Sequence, residues 1–427
     1  MLQRLDLRGV RGDLLGVLPR PQVAGDEPVA AVRGILDEVR TSGDAALRAC
    51  TERFDGVRLD DLRVPSADCE AAMAAISAPL RAALEAAADR IGAYHRATVA
   101  PEVVHRRDGI RVRELRRPVD RAGLYVPGGR ASYPSTVLMT AVPARVAGVS
   151  ELALCVPPDR SGRVPPEVLA AAALAGVDEV WRVGGAQAVG ALAFGTDSIR
   201  PVDVIVGPGN VYVSLAKREV AGLVGIPSAF AGPSEVVVVA DASAPTEAAA
   251  VDLVVQAEHG PAGLAWLVTW DEAVAEAVSA EVARLVAESP RRVEIESTLA
   301  DGGYAVVCDG PEQALAVANA IAPEHLELIT EDPEALLPLV TAAGAVFCGP
   351  WAPASVGDYV AGPSHVLPTF GSARFASALR VDDFVKHIHV VDLDRDALAE
   401  VGPYVAALAE AEGLAAHALS VRLRVGP

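Results

Sequence analysis

From about Pro28 to Ala97 the apolar positions recur at helical spacing, in AAVRGILDEVR and again in PLRAALEAAADRIGAYHRA, which predicts Ala-rich helices. Beyond that point the pattern changes. Short Val- and Leu-rich runs appear, each closed by Gly, Pro or Asp: ELALCVPP, DEVWRV, VDVIVGPG, SEVVVVAD, LAWLVTWD, YAVVCDG, HLELIT and AVFCGP. Helical stretches such as PPEVLAAAALAG, PTEAAAVDLVVQAEHG and GPEQALAVANAIA lie between most of them. Buried apolar strands alternating with helices predict an α/β architecture with largely parallel sheets covered on both faces. The end of the chain differs: after HIHVVDLD, one helix from roughly Asp396 to Glu412 precedes SVRLRV, which reads as a short strand. So short a tail cannot build its own core and must pack on the body or on a second subunit.

Length and composition narrow this picture. A chain of 427 residues exceeds one ordinary core and divides into about two or three domains. With 51% apolar but only 4% aromatic residues, the interior must be built mainly from Ala, Val and Leu. The formal charge of −19 excludes a general nucleic-acid binder, which needs a basic surface to neutralise phosphates. Cys50, Cys69, Cys155, Cys308 and Cys348 are odd in number, widely separated and form no CxxC pair, so neither a disulfide framework nor a cysteine zinc site is implied. No apolar run reaches the roughly eighteen residues of a membrane span, and the opening MLQRLDLRGVRGDLL does not read as a secretory signal. A soluble, cytoplasmic protein is the expectation.

Four clusters could carry chemistry. Gln256-Ala-Glu-His259 closes a helix that Gly260-Pro261 terminates, and its i, i+3 spacing puts Gln256 and His259 on one face. Glu324 and His325, in PEHL, stand where a helix passes into the strand HLELIT, a place where a proton-transfer pair can be presented. Ser355-Val-Gly-Asp358-Tyr359, followed by Gly362-Pro-Ser-His365, breaks regular structure as binding loops do. Glu412-Gly-Leu-Ala-Ala-His417 lies in the tail. Each alone reads equally as a cap, a turn or a solvated helix end. Together they offer the N and O donors of a zinc site, although HExxH is absent and spacing does not bring them into contact. Three glycine loops, Tyr125-Val-Pro-Gly-Gly129, Val183-Gly-Gly-Ala-Gln187 and Val206-Gly-Pro-Gly-Asn210, end apolar runs and could hold a phosphate on backbone N–H groups. None fits G-x-G-x-x-G, so the dinucleotide fingerprint does not identify NAD.

These stretches, in this order, closely resemble the histidinol dehydrogenase family. The resemblance runs from about Arg11 to Val425 and is densest in GLYVPGG, VGGAQAVGALAFGT, VGPGN, AGPSEV, QAEHG, PEHLE, SVGDY, GPSHVLPT and EGLAAH. It implies one Zn²⁺ per subunit on Gln256, His259, Asp358 and the tail's His417, reaching over from a second subunit. It implies Glu324 and His325 as the acid–base pair. Substrate contacts would be Ser234, Gln256, His259, His325, Asp358, Glu412 and His417, and NAD contacts Tyr125, Gln187 and Asn210. The implied reaction is oxidation of L-histidinol through L-histidinaldehyde to L-histidine. Related readings are a dehydrogenase of another amino alcohol and a zinc hydrolase, the latter with no use for the three glycine loops. The implied fold is two incomplete Rossmann-like α/β/α domains, aldehyde-dehydrogenase-like, in an intertwined homodimer. Its parts are an N-terminal arm (1–24), a first domain carrying most zinc and substrate residues (25–121 with 235–380), a second carrying the NAD loops (122–234), and a tail reaching the partner (381–427).

Overall fold

In the computed structural model, which describes residues 2–19, 27–128, 131–228, 234–258 and 263–425, two separate parallel sheets carry the α/β pattern that the sequence predicts. The first has four strands in the order Glu179–Trp181, Glu151–Cys155, Arg121–Tyr125 and Val204–Val206, all parallel. Side chains alternate between its faces. Leu124, Leu152 and Leu154 pack with the helices Ser66–Ala75, Ala78–Ala97, Pro134–Ala147 and Pro166–Leu174. Tyr125, Ala153 and Cys155 face Glu27–Asp55, Gly185–Phe194 and Val211–Val220.

The second sheet has six parallel strands in the order Gln3–Asp6, Gly303–Val307, Leu264–Thr269, Glu235–Ala240, His325–Ile329 and Ala345–Cys348. Its central strand, EVVVVA, is buried throughout. Val237 and Val239 pack under Pro311–Ile321, whereas Val236 and Val238 pack under Thr246–Ala257 and Glu272–Glu288. Each such valine contributes roughly 1.5–3 kcal/mol by leaving water, and a one-residue slip would exchange the two faces. Trp266 stacks on Tyr304 with ring centroids 4.2 Å apart, filling the largest volume in this core.

Three expectations change. The first residues are no free arm: Gln3–Asp6 adds an edge strand parallel to Gly303–Val307, and Asp309 holds Gly9 and Arg11. The helices of 27–97 were expected with 235–380 but pack on the four-stranded sheet, because their apolar faces share cores with strands 121–125 and 151–155. SVRLRV is helical, within Ala415–Val425. Its alternation suits a strand, but the segment packs along Arg395–Ala411, burying Ala406, Ala409 and Ala418.

A third, antiparallel sheet ties the C-terminal segment to residues 103–118. Val385–Leu393 pairs with Ile110–Pro118, which pairs in turn with Val103–Arg107. Arg111 bonds Asp392 at 2.9 Å across it, and His387 bonds Glu114 at 2.9 Å. The tail strand is therefore fixed to its own body, while the helical hairpin beyond it exposes Tyr404, Leu408, Leu419 and Leu423. Among the described residues no single helix is long and apolar enough to cross a membrane.

Candidate active site

Glu324 and His325 fall where the strand His325–Ile329 begins, at the amino end of the six-stranded sheet. The preceding helix Pro311–Ile321 stops at Ala322, whose left-handed φ of 52° turns the chain toward the strand. Both side chains are buried. Glu324 Oε2 accepts from the Glu235 backbone N–H at 3.3 Å and also bonds Ser234, so the expected substrate residue Ser234 supports the acid–base pair. His325 Nδ1 lies 3.9 Å from Glu324 Oε2, and Nε2 lies 3.4 Å from Asp358 Oδ1. These are ion-pair distances, without well-aligned hydrogen bonds, and both ring nitrogens keep bonding capacity.

Asp358 reaches His325 because a short helix, Ala354–Tyr359, runs back over the sheet. Gly357 makes that approach possible, since a Cβ there would come 2.6 Å from the Phe347 ring, which itself stacks near His325. His365 braces the turn: Nδ1 is 2.8 Å from the Asp358 carbonyl and Nε2 is 3.0 Å from Thr136 Oγ1. Gln256 is buried near the end of Thr246–Ala257, with its Nε2 unpartnered.

The electrostatics follow from burial. Desolvation raises Glu324 above the usual carboxylate range, outweighing the favourable charge of His325. For His325 desolvation acts downward, but Glu324 and then Asp358 overcome it and push the imidazole up to about 9. The cluster is a buried acid–base unit in which two carboxyl groups flank one imidazole. Such a unit can accept, hold and return a proton beside a bound substrate.

Three expected members remain. His259 lies outside the described residues. Glu412 and His417 are exposed on the C-terminal hairpin and make no ion pair with the cluster among the described residues. Within one chain the structure thus gathers Ser234, Glu324, His325 and Asp358, with Gln256 on the neighbouring helix.

The glycine loops gather at the carboxyl end of the other sheet. The Tyr125 hydroxyl accepts from the Gly185 N–H at 3.1 Å, and burial raises its pKa to about 12. Gly207, at φ 106°, lies so close to the Tyr125 carbonyl that a Cβ would come within 2.0 Å of it. Asn210 Oδ1 accepts from the N–H groups of Tyr212 and Val213 at 3.1 and 3.2 Å, capping Val211–Val220. Tyr125 and Gln187 are buried and Asn210 is exposed, so only the last offers its side chain outward. Sequence reasoning missed Lys217, a buried lysine whose Nζ donates to the Gly207 carbonyl and whose pKa burial lowers to about 8. It also missed Asp252 and Glu327, although HLELI, read as a strand, already puts Glu327 on the face of His325.

Two parallel sheets, one with a buried acid–base cluster and one with interlocked glycine loops at its carboxyl end, define an α/β enzyme with a nucleotide-type loop region. The particular family comes from comparison. Residues 18–425 match the family model described as histidinol dehydrogenase. The chain is 49% identical over 424 residues to the histidinol dehydrogenase of Parasynechococcus marenigrum (strain WH8102), covering 98% of this chain and 96% of that protein. It is 48% identical over 405 residues to that of Moorella thermoacetica (strain ATCC 39073 / JCM 9320), covering 94% and 95%. The crystal structure of histidinol dehydrogenase from Elizabethkingia anophelis superposes with a TM-score of 0.93 at 35% identity, covering 99% of this chain and 98% of that one. The chain belongs to the histidinol dehydrogenase family, and is an oxidoreductase by that membership.

Proposed function

We propose that this protein oxidises L-histidinol through L-histidinaldehyde to L-histidine, in the cytoplasm, passing two hydrides to two NAD⁺. The buried Glu324–His325 pair, flanked by Asp358 in a chain of this family, carries the reading. Each oxidation releases one proton as hydride departs, so each needs a base held against the reacting carbon. His325 accepts the hydroxyl proton of the alcohol in its neutral form, whose share grows as pH rises toward 9, so the alcohol step should quicken over that range. Glu324 then takes a proton from the water that adds to the aldehyde while His325 returns its proton to the aldehyde oxygen, and His325 accepts a hydroxyl proton of the resulting hydrate as the second hydride leaves. A cysteine thioester is a poor alternative. Cys50, Cys155 and Cys308 are buried, and burial pushes the thiols of Cys155 and Cys308 up to about 12.

Zinc is assigned to Gln256, His259, Asp358 and a second subunit's His417. The buried Gln256 amide supports this, because its polar end lacks a full set of protein partners, as does the N and O character of the donor set. Bound zinc would anchor the substrate's imidazole and amino nitrogens; a donor set of this kind also accepts Mn²⁺ or Co²⁺. The exposed apolar side chains of the hairpin carrying Glu412 and His417 support a homodimer in which each tail completes the other subunit's site. Tyr125, Gln187 and Asn210 are assigned to the NAD region through their loops.

The test is NADH formation from L-histidinol, counted per histidinol consumed, before and after chelation. Two NADH per histidinol, lost on chelation and restored by Zn²⁺, is the expected result. No NADH from the metal-loaded protein would refute the reading and turn the search to other amino alcohols or to hydrolysis.

A further inference from the structure

Beside the acid–base cluster lies a second carboxyl pair that the mechanism does not use. Asp252 and Gln256 stand four residues apart on one face of Thr246–Ala257. That helix packs on the sheet face to which His325 and Glu327 point, two residues apart on their strand. Glu327 Oε1 accepts from the Ala354 N–H at 2.9 Å, at the start of the helix carrying Asp358. Glu327 Oε2 is buried with no donor, and the neighbouring side chain within hydrogen-bonding reach is the carboxyl of Asp252. No lysine or arginine pairs with either acid among the described residues.

A buried Glu327 carboxylate facing the half-buried Asp252 carboxylate cannot cheaply keep both charges. A single shared proton removes the repulsion and supplies the donor that Oε2 lacks. We propose that the buried Glu327 and the half-buried Asp252 share one proton in a carboxyl–carboxylate hydrogen bond, and that this pair positions the helix of Gln256, the strand of His325 and the helix of Asp358 relative to one another. Burial, and then the charge of Asp252, raise Glu327 to about 9, and burial raises Asp252, in keeping with a proton retained at neutral pH. Both are positioning residues. They act on the reaction through His325 and Asp358, and in that respect the proposal rests on the functional reading above.

Glu327→Gln is the informative variant, because its amide can donate to Asp252 while its oxygen still accepts from Ala354. Glu327→Leu has similar bulk but can do neither. E327Q is expected to keep kcat within a few-fold of the parent. E327L is expected to lose about 10- to 100-fold in kcat, as small misplacements of reacting groups do, with KM for NAD unchanged. Infrared difference spectroscopy reads the proton directly: at neutral pH the parent should show one more protonated-carboxyl carbonyl stretch than E327Q or D252N, beyond any from Glu324, whose carboxyl burial also raises. Lack of that band in the parent, or equal kcat in folded E327L and parent, would overturn the proposal. If E327L does not fold, the band and the E327Q rate decide instead, with a collapsed E327Q rate counting against the pair. A parent inactive toward histidinol would remove the functional reading, while the band would still decide whether the shared proton exists.

Discussion

The amino end of the six-stranded sheet and the carboxyl end of the four-stranded sheet solve different problems with the same α/β material. At the first, side chains do the work: Glu324, His325 and Asp358 meet in a buried cluster within 4 Å of one another along the chain of contacts. At the second, backbone does it: the Gly185 N–H, the Gly207 carbonyl and the capped turn at Asn210 are locked by Tyr125 and Lys217. One region depends on charge, the other on close approach. Charge substitutions should therefore act mainly through chemistry in the first region, and substitutions in the second mainly through cofactor affinity.

The largest expected effect tests the first half of that contrast. Removing a positioned general base typically costs about 10²- to 10⁴-fold in rate. His325→Gln should lose that much in kcat for histidinol. Glu324→Gln should lose as much with histidinaldehyde as substrate but less in the alcohol step, measured as the first NADH in a single turnover. If Glu324→Gln stops alcohol oxidation and spares aldehyde oxidation, the two roles must be exchanged.

A second test uses pH, because buried basic groups in the two regions shift in opposite directions. His325 is raised from 6.5 to about 9, so its contribution to stability is complete below pH 6.5 and is lost as pH rises through 9. Lys217 is lowered from 10.5 to about 8, so its burial penalty is present at and below pH 8 and is relieved as pH rises toward 10.5. Each shift corresponds to about 3–4 kcal/mol at about 1.4 kcal/mol per unit. Urea unfolding of His325→Gln should show less loss of stability between pH 6.5 and 9 than the parent. Lys217→Met should lack the parent's gain between pH 8 and 10.5. Parallel curves for parent and variants would show that neither group is buried in the state inferred here.

The same contrast explains what was legible in the sequence. Alternating apolar runs and helices sufficed for the parallel α/β class, and PEHLE at a helix–strand junction pointed at Glu324 and His325. What periodicity cannot say is which sheet a helix will cover. The apolar faces of residues 27–97 fit either sheet by pattern alone, and their partner is decided by contacts with Tyr125, Ala153 and Leu154 far along the chain. The hairpin at 103–118 was hidden because Val103–Arg107 is exposed throughout and Ile110–Pro118 is half-buried along nearly its whole length, so neither strand shows an alternation of buried apolar and exposed polar positions. Lys217 was missed, since a lone lysine in a helix carries no local sign of burial.

Close approach can be broken in the charged region too, with a smaller cost. Gly357→Ala places a Cβ where the Phe347 ring stands 2.6 Å away. Overpacking of this kind costs about 1–3 kcal/mol. The helix of Asp358 should shift from His325, lowering both the unfolding midpoint and kcat while leaving KM for NAD near the parent value. A loss of NAD affinity instead would mean that the two regions are mechanically coupled and the contrast is too sharp.

The smallest effect separates two duties that Asn210 combines. Its side chain caps Val211–Val220 through Tyr212 and Val213, and its second duty, contact with the cofactor, is the one proposed above. Asn210→Ala removes the cap and should cost about 1 kcal/mol of stability. Asn210→Asp keeps the cap, and its negative charge at a helix N-terminus should preserve or slightly raise stability. That same charge would repel the pyrophosphate of a dinucleotide bound at the loop, so KM for NAD should rise several-fold while the unfolding midpoint does not fall. If Asn210→Asp instead leaves KM for NAD unchanged, the loop is a structural cap, and the cofactor's phosphates must rest on another part of the carboxyl end.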